Sequence, residues 1–443
     1  NVEMDKLPVS ADIFTEAFMK DIAASSVEDV IQGYSAGAGY ASGPDNGASS
    51  AANNQPGDRN GNAYIQLRGM NTPQIQRDGF MPVGAFGNPG STGVGRTDSF
   101  DLERVEVIKG PQATLFGTAS AVGAISLVSA RPREGVSGEL RGGYGNFNQT
   151  LLGGFVNIGN DTIAARIAGE WRSRDGYVEN LSPNQREDLY AQDQLGLRAS
   201  LRWTPTADLT VDLVGTYDQQ RNGGTPFILG RFPAFTGAPG GAANAFGNAN
   251  LGGNPAGAAA LGDDQLGLNR EVYDLNLTLE HSFADGWTFT TVNGYRKFDS
   301  REVFDADGSV APFLEFAEIA DGWQVSHEGR FSYAGTSLRA SAGWNVFIED
   351  GRQNVPFATE EGTFLQCLSS LFGAPLIPGI PCVAPNGTVP ASGVTAIATG
   401  GAFTAIPYSS VFENQGHNEA YSLFADATWL VSDAFEVTAG VRY

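Results

Sequence analysis

This 443-residue sequence has only two cysteines, three histidines and few basic residues. The 27 Lys and Arg residues face 49 Asp and Glu residues, which gives a net charge of -22. A nucleic-acid-binding surface needs a basic stripe, so this balance argues against nucleic acid as a partner. An acidic protein repels anions at long range, so an anionic ligand would need basic residues gathered at one site. We interpret the excess of acidic residues as the charge of solvated loops. The alternative interpretation is that these residues attract cations or metal chelates.

Long apolar runs are also absent, because no stretch reaches the about 18 apolar residues that a membrane-spanning helix needs. A membrane-spanning role is therefore open only to a closed β-barrel. The 58 glycines and the 10% share of aromatic residues favour many short strands and turns over helical layers. The chain begins at Asn1 without an initiator methionine or an apolar leader, which we interpret as a processed or trimmed N-terminus.

The two cysteines, Cys367 and Cys382, lie within one long predicted loop of an otherwise cysteine-free chain. Their spacing predicts a disulfide formed in an oxidising compartment. A metal site is the alternative, but it needs further ligands nearby. The three histidines, His281, His327 and His417, are all distant in sequence.

Catalytic motifs are missing: the sequence has no G-x-S-x-G elbow, no H-E-x-x-H and no Walker loop. The segment from Asp305 to Ser309, DADGS, is similar to the start of a calcium loop. It lacks the third carboxylate and the distal glutamate, so we interpret it as a loop turn. The sequence therefore predicts no enzyme, no resident metal and no cofactor.

From Ser137 onward the apolar pattern has a period of two. Ile163, Ile167 and Trp171 alternate with polar residues such as Arg166 and Glu170. This apolar-out, polar-in alternation is typical of membrane barrel strands. Strands are predicted over 137–146, 148–158, 162–174, 190–203, 208–220, 269–283, 287–300, 320–333, 337–351, 417–431 and 434–443.

The connections between these strands alternate in length, as in bacterial outer-membrane barrels with short periplasmic turns and long extracellular loops. Short turns are predicted at 159–161, 205–207, 284–286, 334–336 and 432–433, and long segments at 175–189, 221–268, 301–319 and 352–416. Aromatic residues near the strand ends favour an interfacial girdle over ordinary sheet packing. They are Tyr144, Trp171, Tyr177, Trp203, Tyr217, Trp287, Tyr295 and Trp429.

The N-terminal part has a different pattern. Phe14, Phe18 and Ile22 have helical spacing, and a second apolar group follows a Ser-Ser cap at 25–26, so one or two short helices are predicted. Residues 34–62 are rich in Gly, Ser, Ala and Asn without an apolar period, which predicts a loop.

Several motifs then follow in a fixed order. They are RGM at 68–70, RDGF at 77–80, SFDLERVEVIKGPQATLFG at 99–117 and AVGAISLVSARP at 121–132. Taken locally, they indicate an alternating strand, a Gly-Pro break and a second apolar strand, as in a compact α/β domain. In this order they closely resemble the plug of TonB-dependent outer-membrane receptors, over residues 7–132.

The resemblance implies an N-terminal α/β plug domain, residues 1–132, inside a transmembrane antiparallel β-barrel. Residues 133–443 would be the first half of that barrel, because plugged transporters have about 22 strands and about eleven are predicted here. Family members also carry a motif ahead of the plug that pairs with TonB by strand addition. Residues 1–7 do not match that motif, so it lies upstream or the coupling is in doubt.

The resemblance also implies where the site residues lie. Plug-apex loops with amide, aromatic and arginine side chains suit a ligand with apolar faces and oxyanion groups. The ligand-binding residues expected there are Gln74, Gln76, Arg77, Phe80, Met81, Phe86 and Arg96, with Phe227 of the long segment 221–268 as an apolar cover. Plug–barrel ion pairs are expected from Arg68, Glu103, Arg104, Glu106 and Lys109, with simple surface charges as the alternative.

The implied function is TonB-dependent import of a scarce ligand across the bacterial outer membrane. The ligand favoured is a ferric siderophore or a similar metal chelate. The implied partners are TonB with its inner-membrane energising complex, the external ligand and outer-membrane lipid. Cobalamin, heme and glycans are alternative ligands. A surface-adhesion or structural barrel that acts through its long loops is an alternative of a different class, and iron-regulated expression or a co-purifying chelate would separate the two.

Overall fold

The computed structural model describes residues 10–24, 27–40, 65–67, 70–71, 74–79, 100–110, 123–182, 184–224, 251, 256–384, 388–432 and 435–443. The N-terminal part, called the plug below, contains a four-stranded sheet. Its order is β1 (Ser10–Thr15), β6 (Leu102–Lys109), β7 (Gly123–Ser129) and β5 (Gln74–Arg77). A second small sheet holds β2 (Ala38–Tyr40), β3 (Ile65–Leu67) and β4 (Met70–Asn71).

Two short helices, α1 (Glu16–Asp21) and α2 (Val27–Tyr34), follow β1. The hydroxyl of Thr15 accepts a hydrogen bond from the Phe18 amide at 3.3 Å and caps α1. Phe14, which the sequence places in a helix, lies instead on β1, which pairs with β6 along its whole length. Tertiary strand pairing overrides the local helical spacing at this position.

The plug core lies between these helices and the four-stranded sheet. Every residue of β7 is buried, as expected for an inner strand flanked by β6 and β5. The buried cluster consists of Phe14, Met19, Val27, Val30, Ile31, Leu67, Leu102, Val105, Val107, Ile125 and Leu127.

Among the described residues from 135 onward, eleven strands form one antiparallel sheet, called the wall below, in which consecutive strands are neighbours. Its strands are β8 (Gly135–Tyr144), β9 (Thr150–Gly159), β10 (Ile163–Arg174), β11 (Gln192–Thr206), β12 (Leu209–Gly223), β13 (Gly267–Ala284), β14 (Trp287–Asp305), β15 (Glu315–Ala334), β16 (Leu338–Glu360), β17 (Pro407–Ser432) and β18 (Phe435–Arg442). Among the described residues no helix is both long and apolar enough to cross a membrane.

The two faces of the wall differ as the sequence predicts. On β10, Ile163, Ile167 and Trp171 are 47%, 68% and 40% exposed, whereas Arg166 and Glu170 are 8% and 4% exposed. The apolar side chains therefore face outward, and the polar ones face the plug.

Aromatic rings lie near both ends of the outward apolar band. Tyr217 and Tyr273 are in contact at the long-loop end, with ring centroids 5.0 Å apart. Trp287 and Tyr333 are in contact at the short-turn end, with centroids 5.1 Å apart. This arrangement is that of a membrane-interface girdle.

The connections follow the predicted alternation, although the strands are longer than predicted on the long-loop side. The short turns lie at 160–162, 207–208, 285–286 and 335–337, and the long connections at 175–191, 224–266, 306–314 and 361–406. Residues 352–360 and 407–416, predicted as loop, pair with each other, as in Glu360 with Pro407. Backbone hydrogen bonds extend this hairpin beyond the apolar band, where an alternating pattern is no longer required.

The long connections contain helices that the sequence pattern did not reveal: α3 (Gly257–Leu261), α4 (Glu361–Leu371) and α5 (Val394–Ala398). Cys367 of α4 is bonded to Cys382, with Cα atoms 4.8 Å apart. Both cysteines are buried in a small core with Ala311, Phe313, Val383 and Ala391. The disulfide therefore closes a segment of the loop 361–406, and the shared core packs this loop against the neighbouring loop 306–314.

Candidate functional site

A buried contact between plug and wall is centred on Asp101. Its carboxylate accepts a hydrogen bond from Arg166 Nε at 2.7 Å, and both side chains are more than nine-tenths buried. Arg198 Nη1 donates to the carbonyl oxygens of Phe100 and Asp101 at 3.1 and 2.8 Å. Burial raises the pKa of the Asp101 carboxyl, and the charges of Arg198 and Arg166 oppose that rise. This turn of the plug thus holds two wall arginines, Arg166 through the carboxylate and Arg198 mainly through backbone carbonyls.

The backbone at Asp101 explains why this residue type occurs there. Its φ is +53°, in the left-handed region that aspartate and asparagine tolerate better than other side-chain-bearing residues. The turn brings the Asp101 carbonyl within 2.8 Å of the Ala130 amide, next to the last strand of the plug. The same turn therefore makes both the contact with the wall and a backbone hydrogen bond within the plug.

Further polar contacts join the plug to the wall. Asp212 of β12 accepts hydrogen bonds from Arg131 of the plug and from Arg202 of β11. Lys20 of α1 donates to Glu139 of β8 at 2.6 Å, in an exposed position. Ion pairs and hydrogen bonds thus span the boundary at several points.

The Asp78–Gly79 turn, part of the RDGF motif, touches the wall on another side. Both residues have positive φ, 51° and 79°. The Asp78 carboxylate accepts hydrogen bonds from the Ser129 amide at 2.9 Å and from its hydroxyl at 2.7 Å. The Asp78 carbonyl accepts a bond from Asn276 of β13, and a Cβ added at Gly79 would lie 3.6 Å from Val292 of β14. This turn places the end of β5 against the lumen face of the wall.

The expected ligand-binding residues are only partly described. Gln74, Gln76 and Arg77 lie on β5, where Gln76 is buried and Arg77 is half-buried. Arg77 lies within electrostatic range of Arg296, which in turn pairs with Asp274 at 2.9 Å. The other expected residues, Phe80, Met81, Phe86, Arg96 and Phe227, lie outside the described residues.

The charges of β6 pair differently from what the sequence suggested. Arg104 bonds to Glu103 and Glu106, and Lys109 bonds to Asp12 of β1 at 2.6 Å, so these pairs lie within the plug. Each of them joins residues on one strand or on two neighbouring strands of the plug sheet, in which β6 lies between β1 and β7. Glu103 does lie within electrostatic range of Arg202 of the wall. Arg68 lies outside the described residues.

Sequence reasoning missed the wall side of these contacts. Arg166 and Arg198 occupy polar positions in the alternating patterns of β10 and β11, but the pattern does not identify the plug residue that they contact. Asp101 lies two residues before Glu103 in the SFDLERV motif, and the sequence does not distinguish it from the charged residues that follow. Its left-handed backbone is the feature that sets it apart, and a single sequence does not report it.

A second group of residues lines the lumen face near the long loops. The register places Phe304, Phe316 and Phe357 directly opposite one another on β14, β15 and β16. Their ring centroids are 5.7 and 5.0 Å apart, and we call these three residues the phenylalanine row. The rings of Phe364 on α4 and Tyr408 on β17 lie 5.6 and 6.4 Å from Phe357.

A buried carboxylate lies beside the phenylalanine row on the same face. Glu318, two residues from Phe316, is fully buried, and its Oε2 has no hydrogen-bond partner. Its Oε1 accepts a hydrogen bond from Gln353 Nε2, and Gln353 Oε1 accepts one from Asn414 at 3.0 Å. The amide of Gln353 is therefore oriented from both sides, which fixes the position of Glu318.

The segment from Asp305 to Ser309 forms a turn, as interpreted from the sequence. Asp305 accepts hydrogen bonds from the amides of Asp307 and Gly308, both at 3.1 Å. Asp307 accepts bonds from the amides of Ser309 and Leu314 at 2.9 and 3.1 Å. Burial raises the pKa of Asp307 to about 7. These carboxylates organise backbone, and the described residues contain no group of three or more acidic, histidine or cysteine side chains suited to a metal ion.

Two family models match the chain. The TonB-dependent receptor plug domain matches residues 3–124, and the TonB-dependent receptor-like β-barrel matches residues 229–443.

Curated relatives match part of the chain at modest identity. The chain is 31% identical over 180 residues to the ferrioxamine B receptor of Salmonella typhimurium strain SL1344. It is 29% identical over 158 residues to the catecholate siderophore receptor Fiu of Escherichia coli K12. The matched segments are 39% and 35% of this chain but span only 24% and 18% of those receptors.

Solved structures share the fold along nearly the whole chain. The ferric yersiniabactin uptake receptor FyuA from Yersinia pestis aligns with a TM-score of 0.66 at 15% identity, over 98% of this chain and 56% of that one. The open form of Fiu aligns with a TM-score of 0.59, over 98% of this chain and 59% of that one. The motifs, the plug sheet, the alternating wall and both family models agree, and the chain belongs to the TonB-dependent receptors of the bacterial outer membrane.

Proposed function

We propose that the receptor containing this chain imports a ferric siderophore or a similar metal chelate, in a process driven by TonB. Residues 1–132 are the plug, and residues 133–443 form the first half of the barrel around it. External ligand binds between the plug apex and the long loops. An inner-membrane protein then pulls the N-terminal side of the plug, which shifts against the wall and opens a path.

The observation that carries this proposal is the polar boundary between plug and wall. Asp101 with Arg166, Arg131 with Asp212 and Lys20 with Glu139 all join the two parts across the lumen. Water and other polar groups can replace such contacts as the plug moves, whereas an apolar interface would have to expose its surface. A plug seated in this way is held in place and is still displaceable.

The names of the relatives support the ligand class. The matched curated receptors are described as receptors for ferrioxamine B and for catecholate siderophores. Arg77 at the end of β5 is consistent with this class, because a guanidinium forms charge-assisted hydrogen bonds with the oxygen atoms of a chelate.

The test is uptake of radioactive iron by cells that express the full-length receptor as their sole outer-membrane receptor. We expect uptake from at least one ferric chelate of a hydroxamate and catecholate panel. Uptake should stop when the proton-motive force is collapsed or when TonB is deleted, while binding to the cells remains.

Two controls make the result specific. Cells without the receptor should show neither binding nor uptake. Cell-surface adhesion without any energy-dependent uptake of a chelate would contradict the proposal and would favour an adhesive or structural barrel.

A further inference from the structure

The lumen face near the long loops combines aromatic rings and buried carboxylates in one place. The phenylalanine row places three rings side by side, of which Phe304 is buried and the other two are half-buried, and the half-exposed Tyr408 adds a fourth ring close to Phe357. Glu318 lies two residues below Phe316 on the same face of β15. Glu302, directly opposite Glu318 on β14, is also buried and adds a second negative charge.

This combination has a specific chemical preference. The face of an aromatic ring carries partial negative charge and attracts an ammonium or guanidinium group. A carboxylate shielded from water attracts a cation more strongly than an exposed one, because the surrounding dielectric constant is low. Rings and a buried carboxylate on one surface therefore favour a cationic group over a neutral or anionic one.

One oxygen of Glu318 is open to a hydrogen-bond donor. Its Oε1 is bound by Gln353, whereas Oε2 is buried without a hydrogen-bond partner. A buried acceptor of this kind is costly unless a donor reaches it. The chain Glu318–Gln353–Asn414 spans β15, β16 and β17 and holds the carboxylate ready for such a donor.

We propose that Glu318 and the phenylalanine row form a subsite for a positively charged amino group of the imported ligand. This inference rests on the proposed function and specifies its ligand: a metal chelate whose oxygen-rich centre faces the plug apex and whose amine reaches the wall. The ammonium donates a hydrogen bond to Glu318 Oε2, and its neighbouring methylene groups lie against the rings. The strongly acidic chain, with its net charge of -22, also attracts such a ligand at long range.

The test compares two probes on the full-length receptor by isothermal titration calorimetry. One is a synthetic ferric tris-chelate with a single terminal primary amine, and the other is the same chelate with that amine acetylated. The parent receptor should bind the amine form at least about tenfold more tightly, as expected for one charge-assisted hydrogen bond in a shielded site. Glu318→Gln, which keeps the shape of the side chain, should reduce this preference to about twofold or less.

Two further variants separate the subsite from a general charge effect. Glu328→Gln removes a carboxylate of the same strand and face, ten residues away, and should keep the parental preference. Phe316→Leu keeps an apolar side chain but removes the ring, and should lower the preference for the amine several-fold. If Glu318→Gln does not fold, Phe316→Leu decides the question by itself.

The outcomes also distinguish this inference from the proposed function. Equal binding of both chelates by the parent receptor, or an unchanged preference in Glu318→Gln and Phe316→Leu, overturns the subsite and leaves chelate import standing. An equal loss of preference in Glu328→Gln overturns it as well. If neither chelate binds and no chelate of the uptake panel is imported, both proposals fall.

Discussion

Asp101→Asn is expected to lower the free energy that holds the plug in the wall by about 3–5 kcal/mol, the usual cost of removing one partner of a buried ion pair. The variant removes the carboxylate charge that faces Arg166 and Arg198 and leaves two buried cations. Asparagine tolerates the left-handed backbone at this position, where φ is +53°, so the effect reports the charge and not backbone strain. The measurement is a urea titration of the full-length receptor in which protease protection of the plug is followed.

Glu139→Gln is the matched control. It also removes one carboxylate from a plug–wall ion pair, but Lys20 and Glu139 are 41% and 36% exposed. Exposed pairs of this kind contribute about 1 kcal/mol or less. Equal midpoints for the two variants would show that the Asp101 contact does not hold the plug.

Gly123→Ala is expected to destabilise the plug itself by about 2–5 kcal/mol, through backbone strain together with overpacking. Gly123 begins β7 with φ at +145°, a conformation that side-chain-bearing residues rarely adopt. A Cβ there would lie 2.3 Å from the carbonyl oxygen of Ile108 and 2.9 Å from a methyl of Leu67. Since the first of these atoms belongs to the backbone of β6, the sheet itself would have to shift.

Gly33→Ala provides the control for a glycine substitution in the same domain. Gly33 lies in α2, and an added Cβ would meet no atom within 4 Å. This variant should be neutral or stabilise the plug by up to about 1 kcal/mol, because alanine is the better helix former. Amide hydrogen exchange of β6 and β7 in the full-length receptor measures both effects. Unchanged exchange in Gly123→Ala would contradict the packing described for β7.

Much of the fold is predictable from the sequence because the membrane imposes a simple rule. Each spanning strand alternates apolar and polar residues, and Ile163, Arg166 and Ile167 take the predicted sides of the wall. The rule ends with the apolar band, so the extension of β16 to Glu360 was not predicted. In the plug, Phe14 shows helical spacing but belongs to a strand, because its pairing with Val105 depends on residues far along the chain.

The site is less predictable because it is built from pairings between distant residues. The sequence shows which residues of β6 are charged, but the partner of each charged residue depends on the fold. Lys109 contacts Asp12 inside the plug, whereas Asp101 contacts the wall. Glu318 and Phe357 are likewise unremarkable in sequence. They become a candidate subsite only through the register of β15 and β16.

Ligand is proposed to cross the membrane when the plug shifts against the wall, and a reversible disulfide between plug and wall would block that movement. Gly79→Cys combined with Val292→Cys places two thiols across this boundary, since a Cβ at position 79 would lie 3.6 Å from Cγ1 of Val292. Both Cγ atoms of Val292 lie within 4 Å of that Cβ, and they mark positions close to those that a cysteine sulfur would take, so the two thiols can approach each other across the boundary. Uptake of iron from a bound chelate is then measured before and after reduction, with both single variants and the parent as controls for the native disulfide. We expect the oxidised double variant to bind the chelate like the parent, to import none of it, and to regain uptake on reduction; parental uptake with this disulfide closed would contradict the proposed movement.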